Sequence, residues 1–207
     1  LSGAVLRPEA LKRLLTPAEY AALPLGPVVQ NESYHALTPS HSFRLPFVPP
    51  KMHAVGLPMA SLSNLGTALG QIAASLGVEI LTAQTADSLL WTGDRVAGVR
   101  CENDSVYAAT TVLAEGPAGL LHRELTGRHP EWLGANLQTH ALGIKERIEI
   151  PPRADAACTI VHTFGYPLAW GVYGGGFLYH MDETHVALGL ALALDYKDPS
   201  THPHELF

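Results

Sequence analysis

Three consecutive glycines, Gly174, Gly175 and Gly176, precede the aromatic, strand-like residues Phe177–His180. Glycine destabilises a strand interior, because it packs no side chain and loses the most backbone entropy on folding. A triple glycine here indicates that another group approaches the backbone closely, or that the strand bends. Since residues 184–196 are strongly apolar, the first explanation predicts a backbone-lined notch for a flat, apolar ligand. The alternative is a β-bulge at a sheet edge.

A second glycine turn follows a predicted strand at Ala114, Glu115 and Gly116, with Gly119 three residues later. Strand, glycine turn and helix in this order are how dinucleotide sites hold phosphate. Ala114 replaces the first glycine of that fingerprint, however, and the Glu115 carboxylate would repel a pyrophosphate unless it were protonated or turned away. We therefore do not expect a primary nucleotide fingerprint here, and GxGxxG occurs nowhere in the chain.

Histidines are the remaining candidates for chemistry. Of the eleven, His202 and His204 are closest together, but the proline between them favours an extended backbone that projects the two side chains apart. The sequence has no HExxH, no CxxC and no GxSxG, so we predict no metal site and no catalytic nucleophile. His180 is a candidate hydrogen-bond partner for a ligand, with a satisfied sheet histidine as the alternative.

Composition restricts the class of protein. The 207 residues suffice for one large domain or two small ones, and 47% hydrophobic with 15% charged residues predicts a buried core. A net charge of -6 without a basic cluster argues against nucleic acid as a partner. Cys101 and Cys158 form no disulfide framework, which favours a reduced, intracellular setting. We expect no membrane-spanning helix and no signal peptide, and a start at Leu1 suggests a fragment.

The first elements expected along the chain are helices within residues 1–23, the second of them begun by a capping box at Thr16 and Glu19. A proline-rich stretch follows, with a hairpin of Ser33–Thr38 and Ser42–Pro46. These patterns place mostly irregular structure before residue 61.

Residues 61–126 are predicted to be α/β. A helix capped by Ser63 or Asn64 should end at Gly77, before a short buried strand at residues 78–81. A helix should also follow Gly116. Between them we expect a three-stranded meander, with turns at Gly93-Asp94 and Asn103-Asp104 and strands at residues 86–91, 95–101 and 106–114.

The remaining stretch is predicted to be an antiparallel sheet. Gly134 marks the candidate domain junction, which divides the chain into residues 1–133 and 134–207. The predicted strands are residues 138–150, 158–162, 175–181 and 185–193.

Several segments resemble, in order, those of electron transfer flavoprotein–ubiquinone oxidoreductases. YGGGFLYH followed by VALGLALALDYKDP is similar to that family's YGGSFLYH and VALGLVVGLDYQNP. Leu1–Ala4 matches its LSGA, and further likenesses are to its ALGVEI, FAEG and GIGLKEL, at residues 75–80, 113–116 and 142–146. These ordered matches cover nearly the whole chain.

This resemblance implies a fold and an activity. It implies a partial FAD-binding domain of the glutathione-reductase-like superfamily with a β-meander and N-terminal membrane-proximal helices (residues 1–133), joined to an antiparallel-sheet ubiquinone-binding domain (residues 134–207). The implied enzyme is an electron-transferring-flavoprotein dehydrogenase, which passes electrons from reduced electron transfer flavoprotein to membrane ubiquinone. The GxGxxG and the cysteines of its iron–sulfur cluster would lie outside this chain. The implied place is peripheral, on the cytoplasmic face of a bacterial inner membrane or the matrix face of the mitochondrial inner membrane.

The resemblance also implies site residues. A quinone would bind at Tyr173, Gly174 and Gly175, and FAD would contact Ser2, Gly3, Ser61, Glu115, Gly116 and Gly119. Ser61 stands where many relatives carry arginine, and because serine supplies no charge we expect weaker FAD binding. The alternatives are a flavin-dependent reductase or hydroxylase of a lipid-like substrate, and a non-catalytic quinone- or lipid-binding module.

Overall fold

The computed structural model describes residues 3–102, 104–117, 119–134, 139–152 and 158–207. These residues form two compact units, one of Leu1–Val78 with Thr139–Phe207 and one of Glu79–Gln138. In chain order the elements are β1 (Gly3–Val5), α1 (Glu9–Leu14), α2 (Pro17–Ala21), β2 (Leu25–Val28), β3 (Asn31–Leu37), β4 (Ser42–Arg44), β5 (Pro58–Ser61), α3 (Leu62–Ser75), β6 (Ala86–Thr92), β7 (Arg95–Cys101), β8 (Asp104–Tyr107), α4 (Leu120–Arg128), β9 (Ala141–Glu149), β10 (Thr159–Gly165), β11 (Gly174–His180), β12 (His185–Ala193) and α5 (Pro203–Leu206), with 3-10 helices at Pro50–Met52 and Pro130–Trp132.

The N-terminal stretch is a strand followed by two short helices. The predicted capping box is confirmed: the Thr16 hydroxyl accepts a hydrogen bond from the Glu19 N–H at 3.3 Å, and the Glu19 carboxylate accepts one from the Thr16 N–H at 2.8 Å. Hydrogen bonds from the Thr16 side chain and backbone hold the pKa of Glu19 below its usual value. The box fixes where α2 begins, so α1 and α2 remain separate helices.

A small antiparallel sheet of order β1-β5-β2 leads directly into α3. Ser61 caps this helix, since its hydroxyl accepts a hydrogen bond from the Asn64 N–H at 3.4 Å, and the prediction of Ser63 or Asn64 as the cap was wrong. Gly77, with φ +89°, lies just past the end of α3 as predicted. Residues 78–81 form no strand, and their apolar side chains are about half exposed because they have no sheet to join.

A six-stranded sheet of order β4-β3-β10-β11-β12-β9 dominates the first unit. The four strands predicted after residue 134 are all present, each antiparallel to its neighbour in the order β10-β11-β12-β9, and β3 and β4 form the predicted hairpin. The sheet is nevertheless mixed, because β3 pairs in parallel with β10, from Asn31 opposite Thr159 to Leu37 opposite Gly165. The predicted junction at residue 134 therefore divides the chain between strands that belong to one sheet. The division of function between residues 1–133 and 134–207 stays a prediction.

The second unit contains the predicted meander. Strands β6, β7 and β8 pair antiparallel in that order, and β8 ends at Tyr107 instead of residue 114. Glu124 of α4 accepts hydrogen bonds from the Leu89 N–H at 2.9 Å and the Trp91 indole N–H at 3.1 Å, which joins helix to sheet. Of the predicted turn at Asn103-Asp104, Asn103 lies outside the described residues.

Two apolar clusters hold the first unit together. One contains Met59 and Ile160, which are fully buried, and joins the small sheet to β10. The other packs Leu168, from the segment after β10, on Leu190 and Leu192 of β12. None of the helices in the described ranges is long and apolar enough to cross a membrane.

Candidate ligand-binding site

The glycine strand β11 lies between β10 and β12, in the interior of the six-stranded sheet. A Cβ atom on Gly175 would overlap the main-chain oxygen of Thr163 in β10, and one on Gly174 would overlap that of Ala191 in β12. A Cβ on Gly174 would also lie 2.8 Å from Leu168 Cδ1. The predicted close approach to the glycines is therefore made by the protein's own neighbouring strands. The alternative of a bulge at a sheet edge was wrong, because β11 is not an edge strand and pairs in register with β12.

Gly176 also packs closely against β10. Its N–H donates a hydrogen bond to the Thr163 hydroxyl at 3.1 Å, and a Cβ in its place would lie 2.6 Å from that oxygen. A ligand would have to displace this hydrogen bond in order to use the Gly176 amide. The assignment of Tyr173, Gly174 and Gly175 to a quinone stays a prediction.

A cavity of about 820 Å³ adjoins Tyr173 and Gly174. One wall is formed by Tyr34 and Phe164 on β3 and β10, whose rings lie 5.0 Å apart, and the other by the segment between β10 and β11. The lining is mostly apolar and aromatic, and it includes Trp170, which is fully exposed, and Tyr173, which is 83% exposed. Burial, with a smaller effect of Tyr173, raises the pKa of the Tyr34 hydroxyl, so that group is an uncharged hydrogen-bond partner near neutral pH.

Two of the residues predicted to contact flavin are neighbours in the small sheet. Gly3 lies directly opposite Ser61 in the β1–β5 pair, and Ser2 lies outside the described residues. The Ser61 hydroxyl is the acceptor of the α3 cap. Ser61 thus has a structural task at the helix start, where it supplies no positive charge to a cofactor.

The other predicted flavin contacts form the turn before α4. The Glu115 carboxylate accepts hydrogen bonds from the N–H groups of Leu121 and His122, both at 2.9 Å, so the charge is turned onto its own helix. Gly116 and Gly119 both have positive φ, at +69° and +39°. Because Glu115 already occupies the amides that would hold a phosphate, these residues do not fit a pyrophosphate site, in agreement with the altered fingerprint.

Sequence reasoning missed a row of residues that crosses one face of the six-stranded sheet. Directly opposed residues in neighbouring strands share a face, and the register aligns five of them. We call them the transverse row: Tyr34, His162, Phe177, Gly189 and Lys145, on β3, β10, β11, β12 and β9. Tyr179, two residues beyond Phe177 on β11, points to the same face.

The side chains of this face contact one another. The His162 Nε2 atom lies 3.2 Å from the Tyr179 hydroxyl, and the two rings meet edge to face at 5.7 Å. The Phe177 and Tyr179 rings are 4.9 Å apart, and the Lys145 amine lies 5.2 Å from the centre of the first and 5.9 Å from that of the second. An ammonium group at these distances is attracted by both ring faces.

Partial burial shifts the ionisation of three of these groups. Burial lowers the pKa of His162, although the negative charge of Glu32 acts to raise it. Burial also lowers the pKa of Lys145. It raises the pKa of the Tyr179 hydroxyl. All three shifts have the partial burial of this face as their main cause. The sequence offered a signal in the alternation of Gly175, Phe177 and Tyr179, but the partners from β9 and β10 could not be aligned to it.

Two other histidine predictions have structural outcomes. His180 lies on the opposite face of β11 from Phe177 and Tyr179, so it does not join their contacts. His202, whose backbone is extended as expected, immediately precedes the short helix α5, and His204 lies within that helix. Throughout the described part of the chain, no three His, Cys, Asp or Glu side chains are grouped so that they could hold a metal ion.

Solved structures share this fold. A geranylgeranyl bacteriochlorophyll reductase-like protein from Thermoplasma acidophilum aligns over 91% of this chain and 45% of its own, with a TM-score of 0.56 and 14% identity. A 2-methyl-3-hydroxypyridine-5-carboxylic acid oxygenase aligns over 98% of this chain and 51% of its own, with a TM-score of 0.56 and 16% identity. At identities this low, the comparisons show only that the folds are similar.

Sequence comparison adds the family. Residues 140–207 match the family described as "ETF-QO, ubiquinone-binding". Electron transfer flavoprotein–ubiquinone oxidoreductases from Dictyostelium discoideum, Pseudomonas aeruginosa and Homo sapiens are 34%, 33% and 30% identical, each over 100% of this chain. The chain covers 37%, 41% and 37% of their lengths, about two fifths of each relative. The ordered motifs, the ubiquinone-binding match and relatives aligned over the whole chain agree, and the chain belongs to the electron transfer flavoprotein–ubiquinone oxidoreductase family.

Proposed function

We propose that this chain is the quinone-binding part of an enzyme that passes electrons from reduced electron transfer flavoprotein to membrane ubiquinone. The observation that carries the proposal is the aromatic cavity beside Tyr173 and Gly174. Four of the strands in this sheet, β9, β10, β11 and β12, belong to the segment that matches a ubiquinone-binding family. The names of the relatives supply the donor and the acceptor.

The cavity suits a quinone in size and chemistry. Its volume of about 820 Å³ is within the range of roughly 300–1,000 Å³ that is usual for small-molecule sites. The rings of Tyr34, Phe164 and Tyr173 offer stacking surfaces for a flat head group. The Tyr34 hydroxyl supplies one uncharged hydrogen-bond donor to a carbonyl oxygen, which gives the ring an orientation.

We further propose that the intact protein binds FAD in a domain of the glutathione-reductase-like superfamily. The flavin supplies electron-transfer chemistry when it is bound, and this chain would contribute only part of the surrounding wall. Gly3 and Ser61 in the small sheet, and Gly116 and Gly119 in the turn before α4, are the proposed contacts. Phosphate binding is assigned elsewhere in the intact protein, because Glu115 occupies the α4 amides. An iron–sulfur cluster belongs to the same proposal for the intact protein.

The proposed location is the surface of a membrane. Leu14 of α1 is 76% exposed and follows Lys12 and Arg13, a pattern that suits contact with acyl chains and anionic headgroups. Trp170 and Tyr173 line the cavity and are exposed, and such rings favour the membrane–water boundary. The proposed face is cytoplasmic in bacteria and the matrix side in mitochondria.

Filling the cavity tests the quinone assignment. Ala36 lines the cavity from β3, and Ala36→Phe would place a ring inside it. In the full-length protein we expect the KM for ubiquinone to rise about tenfold or more, since a partly filled pocket loses contact area. Flavin reduction by electron transfer flavoprotein should continue at its normal rate. The matched control is Ala108→Phe on exposed backbone after β8. A folded Ala36→Phe protein with an unchanged KM would remove the cavity as the quinone site.

A further inference from the structure

A second cavity, which we call the meander cavity, lies within the unit of Glu79–Gln138. Its volume of about 330 Å³ is at the lower end of the range of roughly 300–1,000 Å³ that is usual for small-molecule sites. Its walls come from β6, the turn that follows, β7, the segment after β8, α4 and the 3-10 helix at Pro130–Trp132. Every residue that lines it belongs to the second unit, whereas the first unit alone lines the quinone cavity. The two cavities are therefore separate sites.

One wall of the meander cavity carries a hydroxyl group that lacks a partner. The Thr111 Oγ1 atom is buried and makes no hydrogen bond to any of the described residues, and the side chain lines the cavity. An unpaired buried hydroxyl lowers stability, and nearly all buried polar groups of native proteins have partners. The cavity has about ten times the volume of one water molecule in the liquid, which is ~30 Å³, so it has room for a ligand that offers this hydroxyl an acceptor.

A tryptophan ring held in a fixed position forms another wall. Trp132 stacks on His129, with ring centres 4.1 Å apart and an angle of 10° between the planes, and His129 lies 5.6 Å from the Trp91 ring on its own account. The His129 Nδ1 atom is 2.9 Å from the Glu131 carboxylate. Although His129 covers one face of its ring, Trp132 remains 52% exposed. A flat surface is therefore available to a ligand, and little ordering is needed when the ligand binds.

Two charged residues line the meander cavity, and one of them has no partner. The Asp94 carboxylate lies 3.3 Å from the Arg128 guanidinium, which also donates to the Gly93 carbonyl at 2.7 Å. Arg95, by contrast, is exposed and forms no ion pair in the described part of the chain. The charge still free to pair with a ligand is thus a cation, so the lining favours an anion.

We propose that the meander cavity binds a small, flat aromatic anion such as an aromatic carboxylate. The ring stacks on Trp132, an acceptor atom takes the hydrogen bond of the Thr111 hydroxyl, and the Arg95 guanidinium pairs with the negative charge. Leu113 and Leu125 cover the apolar edge of the ring. This site is independent of the quinone-reducing function proposed above, because all of its residues belong to the second unit.

The first test uses 2-naphthoate as the probe and calorimetric titration of the full-length protein. We expect a Kd of about 1 mM or tighter, as is usual for a ligand of this size. Thr111→Val keeps the shape of the side chain and removes the hydroxyl, so it should raise the Kd about fivefold, whereas Thr111→Ser should bind nearly as the wild type does. The matched control is Thr110→Val, at the exposed neighbouring position. No binding to the wild type, or an unchanged Kd in a folded Thr111→Val protein, would overturn the site.

The second test examines the charge and the place of binding. Arg95→Gln should raise the Kd for 2-naphthoate about threefold and leave that of the uncharged 2-naphthamide unchanged, with Arg100→Gln on the same strand as the control. An unchanged Kd for 2-naphthoate in Arg95→Gln would overturn the preference for an anion. Because an aromatic probe also suits the quinone cavity, the titration is repeated with Ala36→Phe, in which that cavity is filled. The Kd should not change there, and loss of binding would refute the meander cavity as the site.

Discussion

Gly175→Ala is the perturbation that most directly distinguishes a structural glycine from one kept small for a ligand. The added methyl group would overlap the Thr163 main-chain oxygen and lie 3.3 Å from its carbonyl carbon. Neither atom belongs to a flexible side chain, so β10 and β11 must move apart. Overpacking of this kind costs about 1–3 kcal/mol. With a shift of about 2–4 °C per kcal/mol for a chain of this size, we expect the melting temperature to fall by roughly 2–12 °C.

Gly143→Ala is the matched control for that experiment. Gly143 lies opposite Ala191, which lies opposite Gly175, so both glycines occupy the same line across the sheet. A Cβ on Gly143 meets nothing within 4 Å. Replacing a strand glycine by alanine then stabilises by about 0.5–1 kcal/mol, because the unfolded chain loses freedom. Thermal unfolding followed by circular dichroism should rank the proteins as Gly143→Ala, wild type and Gly175→Ala. If Gly175→Ala instead kept the wild-type melting temperature and lost only ubiquinone turnover, the steric argument would be refuted and the glycine would be kept for a ligand.

Three further outcomes are expected. The 207-residue chain alone should not hold FAD through desalting, since the α4 amides are occupied by Glu115; a yellow protein with the visible spectrum of stoichiometric flavin would contradict this. Glu115→Ala should lower stability by about 1 kcal/mol, as the loss of a helix cap does, and an unchanged melting temperature would show that water replaces the carboxylate. Leu14→Glu in the full-length protein should reduce binding to anionic vesicles. Leu76→Glu is the control and should leave binding unchanged, because Leu76 is as exposed as Leu14 (75% and 76%) but lies outside α1. Equal binding by the two variants would exclude α1 from the membrane contact.

Local patterns predicted the elements whose signals are local. The capping box of α2, the glycine after α3 and the strands β9 to β12 all follow from residues close together in sequence. The parallel pairing of β3 with β10 joins segments more than 120 residues apart, and alternation within either strand does not encode it. This one pairing is why the boundary at residue 134 crosses a sheet. Residues 78–81 had a strand-like composition, yet strand formation depends on a partner that the fold does not provide.

The candidate site shows the same difference between features predicted from local sequence and features that depend on long-range pairing. The glycines and Tyr173 were identified from a single run of sequence, and a cavity adjoins Tyr173 and Gly174. The run of sequence could not show that main-chain oxygens of β12 and β10 come close to Gly174 and Gly175. His162 and Lys145 carried no signal of their own, since His162 stands alone in the mostly apolar strand β10 and Lys145 begins the charged run Lys145–Arg147 of β9. Their relation to Phe177 appears only when the register of four strands is known.

Two glycines of the six-stranded sheet affect how closely the side chains on the face of the transverse row approach one another. Gly175 allows the β10 backbone to come close to β11, and His162, on β10, is thereby brought within hydrogen-bond distance of Tyr179. Gly189 allows the Phe177 ring to lie across β12, where the Lys145 amine reaches it at 5.2 Å. Larger residues at these positions would move His162 away from Tyr179 and the Phe177 ring away from the Lys145 amine. Gly189→Ala should therefore lower the melting temperature by roughly 2–12 °C, because the added methyl group would overlap the Phe177 ring; an unchanged melting temperature in thermal unfolding would show that the ring turns away at little cost.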